Sequence, residues 1–225
     1  DVKTCVQDKD VIITIVGYPK DVEEVYFGEN GIIANAKPGA VLIDMTTTSP
    51  KLSERIYAEA KPRGISALDA PVSGGDSGAK AGTLSIMVGG DREAFDACQD
   101  VFAAMGTNII YEGGAGKGQH TKMANQIALA GAVASVSEAI AYARRTGLDV
   151  ETMLASISKG AAGSWQMTNN APKMVAGDMA PGFFIKHFIK DMAIADEEAK
   201  AAGLTMPVLE EVLEMYRELD RRGEG

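Results

Sequence analysis

The chain has 225 residues, of which 46% are apolar and 24% charged, the ordinary composition of a globular protein with room for one large domain or two small ones. With 22 basic against 31 acidic side chains the net charge is −9, the wrong sign for phosphate backbones or anionic lipid, so neither nucleic acid nor a membrane surface is an expected partner. The longest uninterrupted apolar stretches fall far short of the ~20 residues of a spanning helix, and no basic start with an apolar segment and a small-residue cleavage site marks secretion. Cys5 and Cys98 form neither a disulfide framework nor a metal knuckle, and His120 and His187 add no Cys/His cluster, so no zinc site and a cytoplasmic setting are expected.

The first half alternates β-branched runs with amphipathic ones. Residues 10–16 read as a buried strand, 21–27 as a short helix and 40–44 as a second strand. Ser49-Pro50 caps a helix to about residue 60, 64–69 and 83–88 are further strands, 91–105 a helix, and 108–111 closes the section. This is βαβ grammar and predicts a parallel sheet. After Gly113-Gly114 the character changes: a long helix rich in Ala, Gly and Ser is expected over 120–146, then helices near 149–159, 164–176, 184–202 and 207–222. Gly147, Gly177-Asp178, Pro181-Gly182 and Gly203 are the expected stops. The predicted domains are therefore an α/β unit over 1–113 and a helical one over 114–225. No strand with a Gly-x-Gly-x-x-Gly turn opens the chain, and Gly17-Tyr18-Pro19 looks like the loop at the carboxyl end of a middle strand.

Four segments could carry chemistry. Asp69-Ala-Pro-Val-Ser-Gly-Gly75 follows a strand, where Ser73, Gly74 and Gly75 could hold a carboxylate on exposed amides; the plainer reading is a tight turn needing positive φ. Gly116-Lys-Gly118-Gln-His-Thr-Lys122-Met-Ala-Asn125-Gln126 opens the long helix and puts Lys122 and Asn125 on one face, the lysine suited to exchanging a proton with an alcohol or carbonyl oxygen if it is not simply a solvated surface group. Thr46-Thr-Thr-Ser-Pro50 could offer hydroxyls to a ribose, an amide or a small acid, or be only a capped helix start. Lys186-His-Phe-Ile-Lys190-Asp191 places two lysines four apart, with Lys190 and Asp191 equally readable as a surface pair.

Taken in order, Asp44-Met-Thr-Thr47, Asp69 to Gly75, Gly116-x-Gly118-x-x-x-Lys122-x-x-Asn125 and Phe184-x-x-x-x-x-Lys190-Asp191 resemble the β-hydroxyacid dehydrogenase family along the whole chain. The resemblance implies an α/β Rossmann-type domain with a parallel sheet, incomplete at its start, and an all-α domain of the 6-phosphogluconate dehydrogenase C-terminal type. It implies NAD or NADP as cofactor, a small carboxylate substrate, and a homodimer or homotetramer. Lys122 would be the catalytic acid/base. Ser73, Gly74 and Gly75 would bind the substrate carboxylate, Asn125 would hydrogen-bond the substrate or support Lys122, and Val16, Gly17, Thr47 and Lys190 would bind the cofactor. Hydride would pass between the nicotinamide and a 3-hydroxy acid or its semialdehyde, 3-hydroxyisobutyrate and tartronate semialdehyde ranking equally. Relatives carry the glycine fingerprint and the residue selecting NAD or NADP before the position of Asp1, so roughly two βα units are expected to be missing. The competing reading is a non-catalytic fragment or interaction module of the same family; a 6-phosphogluconate-type enzyme would want more basic residues.

Overall fold

The computed structural model describes residues 1–180 and 182–225, and Pro181 of the expected Pro181-Gly182 stop lies outside them. The chain divides into two compact units, Asp1–Ala124 and Asn125–Gly225.

The first unit runs α1 (Val2–Val6), β1 (Val11–Thr14), α2 (Pro19–Tyr26), α3 (Ile32–Asn35), β2 (Val41–Asp44), α4 (Pro50–Ala60), a 3-10 turn (Lys61–Arg63), β3 (Ser66–Asp69), β4 (Val72–Ser73), α5 (Gly75–Ala81), β5 (Leu84–Gly90), α6 (Arg92–Ala97), α7 (Gln99–Ala103), β6 (Gly106–Gly113) and the start of α8 (Lys117–Thr146). The strands β1, β2 and β3 are parallel and in register, so that Thr14, Asp44 and Asp69 stand abreast at their carboxyl ends. Leu42 packs with Val22, Tyr26 and Ile56, while the next residue, Ile43, packs with Leu68, Ile86 and Phe102. Both faces are thus buried, which is why these strands read as continuous apolar runs.

The sheet departs from the expected parallel arrangement at one place. β5 runs antiparallel to β3 and β4, and parallel order resumes where β6 pairs β5. The physical reason is the connection: α5 spans 7 residues and stops at Gly82 with φ 65°, too short for a crossover, so the chain turns back beside the strand it left. The helix expected over 91–105 is broken at Cys98, whose φ of −105° and ψ of 13° lie outside the helical range. Phe95, Cys98 and Phe102 all bury in one cluster on that side of the sheet. The short helices α1, α3 and α5 were too brief to give a periodic signal.

α8 passes from the first unit into the second. By length and composition it meets the measure of a membrane-crossing helix, although no uninterrupted apolar run in it is long. Its Gln119, Lys122 and Gln126 are buried and hydrogen-bonded within the protein, an arrangement that needs no bilayer. The second unit continues with α9 (Val150–Ile157), a π-helical turn (Gln166–Asn170), α10 (Ala171–Ala176), α11 (Ile185–Ala201) and α12 (Pro207–Arg221). Asp149 caps α9 by accepting the Thr152 N–H at 2.8 Å. The single helix expected over 164–176 is instead a π turn handing over to α10, because Pro172 has no N–H to continue an ordinary ladder. Val136, Ile140, Leu154 and Met167 form one core there. Phe188 packs edge-on against Tyr216 at 5.1 Å between centroids, joining α11 to α12.

Candidate active site

In the first unit the loops beyond β1, β2 and β3 are tied to one another and to the first turns of α8. Val16 N–H donates to Thr46 Oγ1 at 2.9 Å, which brings the Val16-Gly17 loop against the Thr46-Thr47 segment. Thr46 N–H and Thr14 Oγ1 both donate to Asp44 Oδ1, each at 3.1 Å. Gln119, fully buried, grips the same segment twice: Nε2 donates to Thr46 O at 2.7 Å and Oε1 accepts the Thr48 N–H at 3.1 Å. Asp69, at the end of β3, receives the N–H of Gly116 on Oδ1 and that of Gln119 on Oδ2, each at 2.8 Å. A carboxylate is thereby seated on the amino end of α8, where unpaired amides and the helix dipole favour it.

Burial dominates the titration of these carboxyls. Removal from water raises Asp69, opposed by the amides of Gln119 and Gly116. Asp44 is pushed up to about 6, first by burial and, as the smallest contribution, by the neighbouring Asp69 charge.

The glycines of this region have structural reasons. A Cβ on Gly118 would sit 2.3 Å from Met87 O and 2.6 Å from Asp69 O, so α8 can seat against β3 and β5 only without a side chain there. Gly74 and Gly75 have φ of 130° and 61°, so the tight-turn requirement holds at both.

Lys122 lies one turn into α8, 7% exposed, and its Nζ donates to Val72 O at 2.8 Å, directly before Ser73. The structure therefore brings Lys122 beside the Ser73 to Gly75 turn and groups Val16, Gly17 and Thr47 outside the carboxyl ends of the strands, where ligands of open α/β sheets collect. Asn125 and Lys190 belong to the second unit. There Asn125 Nδ2 donates to Gln126 Oε1 at 2.7 Å, Gln126 Nε2 to Asp191 Oδ2 at 2.6 Å, and Lys190 Nζ lies 2.8 Å from Asp191 Oδ1. Asp191 is 1% exposed, so this is a buried pair and not a surface one. Reading the sequence missed Gln119 and Asp191 as organising residues, since neither Gln beside His120 nor Asp beside Lys190 differs by type from a surface residue.

Comparison with known proteins agrees with this architecture. Residues 1–113 match the family described as the NAD binding domain of 6-phosphogluconate dehydrogenase, and 116–225 the one described as NAD-binding of NADP-dependent 3-hydroxyisobutyrate dehydrogenase. The chain belongs to the β-hydroxyacid dehydrogenase family. An uncharacterised oxidoreductase of Bacillus subtilis is 58% identical over 223 residues, covering 99% of this chain and 77% of its own length. The Escherichia coli 2-hydroxy-3-oxopropionate reductase is 39% identical over 198 residues, covering 88% of this chain and 68% of its own. A Mycobacterium tuberculosis 3-hydroxyisobutyrate dehydrogenase solved with L-serine superposes with a TM-score of 0.88 at 31% identity, over 96% of this chain and 76% of that one. This β-hydroxyacid dehydrogenase is therefore a Rossmann-type oxidoreductase whose cofactor is NAD or NADP.

Proposed function

We propose that the protein transfers a hydride between NAD(P) and a small 3-hydroxy acid or its semialdehyde, with 3-hydroxyisobutyrate and tartronate semialdehyde as the leading candidates and Lys122 as acid/base. The observation that carries the reading is the seat of Lys122: a buried lysine held by the Val72 carbonyl against the Ser73 to Gly75 turn. A lysine without a task is normally left in water.

The residues outside the strand ends suit a nicotinamide dinucleotide. Ile15 is 67% exposed beyond β1, and half-buried Val16, Gly17 and Thr47 add apolar surface and a hydroxyl beside it. These residues and Lys190 would hold the cofactor, whose nicotinamide supplies or accepts the hydride when bound. Ser73, Gly74 and Gly75 would bind the carboxylate, and Asn125 would hydrogen-bond the substrate or support Lys122. In oxidation Lys122 Nζ takes the proton of the substrate hydroxyl, and in reduction it returns one to the carbonyl oxygen. The Val72 carbonyl fixes where that nitrogen sits.

The family resemblance implies a homodimer or homotetramer. The unpaired thiols of Cys5 and Cys98 accord with a reducing, cytoplasmic setting.

The test is turnover of a panel of 3-hydroxy acids and semialdehydes with both cofactors, in the wild type and Lys122→Ala. The variant should lose ~10²-fold or more in kcat while binding cofactor almost unchanged. Equal kcat in the two proteins would sink the assignment.

A further inference from the structure

We infer that the small cavity of the first unit between Asp44 and Ser53 is a binding site for one internal water molecule, which donates to Asp44 Oδ2, accepts from Ser53 Oγ and so ties the carboxyl end of β2 to α4.

The lone pairs of Asp44 are the starting point. The residue is 2% exposed, and a carboxylate has about four sites at which it can accept a hydrogen bond. Oδ1 takes the Thr14 hydroxyl and the Thr46 N–H, each at 3.1 Å. Oδ2 has no hydrogen-bond partner among the described residues, and neither has Oγ of Ser53, which is 5% exposed on α4. Burial pushes Asp44 up to about 6, so at neutral pH the group is mostly an anion, and the neighbouring charge that acts on it is another carboxylate, Asp69. An ionised oxygen in such a place needs a donor, and a buried hydroxyl needs an acceptor for its proton.

Asp44 and Ser53 line one cavity, closed by Ile56, Ala67, Leu68 and Asp69. Its volume of about 10 Å³ is room for a single water and nothing larger. A water there gives one proton to Asp44 Oδ2 and accepts that of the Ser53 hydroxyl, while Asp69 on the wall has oxygen lone pairs for its second proton. Two to four such partners are what hold an internal water, and a cavity walled by carbon alone would stay dry. A metal ion in the same place would want about six oxygens, whereas Ile56, Ala67 and Leu68 bring side chains of carbon only.

The experiment is a high-resolution crystal structure of the wild type and of Ser53→Val, with the long-lived waters of both proteins counted in solution by nuclear relaxation of labelled water. Valine is close to serine in helix propensity and fills the cavity with methyl groups. The wild type should show one peak within about 2.6–3.0 Å of both Asp44 Oδ2 and Ser53 Oγ. Ser53→Val should lose that peak and count one water fewer. A wild-type cavity without density, or an equal count in the two proteins with the cavity filled, overturns the inference. So does a melting temperature that is higher in sodium than in choline at equal ionic strength for the wild type and not for Ser53→Val, which would make the occupant a cation. If the valine variant does not fold, the wild-type density and the sodium comparison decide alone.

Discussion

Asp69 holds the Gln119 amide through Oδ2 at 2.8 Å while its other oxygen holds that of Gly116, so one side chain at the end of β3 closes the first turn of α8. Asp69→Asn replaces one acceptor by an NH2 facing an N–H. We expect a loss of about 2–3 kcal/mol in unfolding free energy, read from the urea midpoint at neutral pH. An unaltered midpoint would show that the carboxylate does not anchor the helix.

The glycines around that turn make an internal comparison. Gly118→Ala drives a methyl to within 2.3 Å of the Met87 carbonyl, whereas the same change at Gly114 meets nothing within 4 Å. Thermal melts should show Gly118→Ala destabilised by roughly 3 kcal/mol or folding poorly, and Gly114→Ala within about 0.5 kcal/mol of wild type. Equal melting temperatures would contradict the close seating of α8.

Asp44 gives a pH signature. Its folded-state value of about 6 exceeds the ordinary 3.8, so between these the native state holds more protons than the unfolded chain and stability falls as pH rises through that window. At neutral pH the ionised form costs on the order of 3 kcal/mol. Asp44 Oδ2 and Ser53 Oγ have no hydrogen-bond partner among the described residues, and both residues line a cavity of about 10 Å³. Asp44→Asn keeps the acceptor for Thr14 and Thr46 and places a neutral NH2 on the unpaired side. The variant should be more stable than wild type at pH 7–8, with the gap closing below pH 6 and gone near pH 4. A gap independent of pH would assign it to packing.

The two thiols should differ in reactivity. Cys5 is exposed, while Cys98 is 2% exposed with its thiol pushed upward by burial. A disulfide reagent should modify Cys5 promptly and Cys98 only as fast as the unit opens. Prompt reaction of both would show that the Phe95–Phe102 cluster is looser than its packing implies.

Much of this architecture is legible in the residues. Ser49-Pro50 announces α4, which runs Pro50–Ala60, because capping chemistry is local. The stretch of Ala, Gly and Ser after Gly116 announces a long helix, although its first turn begins earlier, at Lys117. What stays hidden is decided by residues far apart in the chain. Nothing near Gln119 says that it will be sealed between Thr46 and Thr48, 71 or more positions away. The antiparallel return of β5 depends on how little chain α5 supplies, a matter of closure and not of composition. Lys122 and the Ser73 to Gly75 turn are each visible as candidates, but only β4 lying along β5 puts the Val72 carbonyl where the lysine can reach it.

The double grip of Gln119 also has a kinetic meaning. A side chain that holds two backbone groups of one loop, while its own amide is held by Asp69, turns the β2 loop and the start of α8 into one exchange unit. Deuterium should enter the amides of Thr48, Gly116 and Gln119 at matched rates, set by opening of the whole first unit and not by fraying of a helix end. The amino terminus of a 30-residue helix, ordinarily its quickest part to exchange, would then be among its slowest.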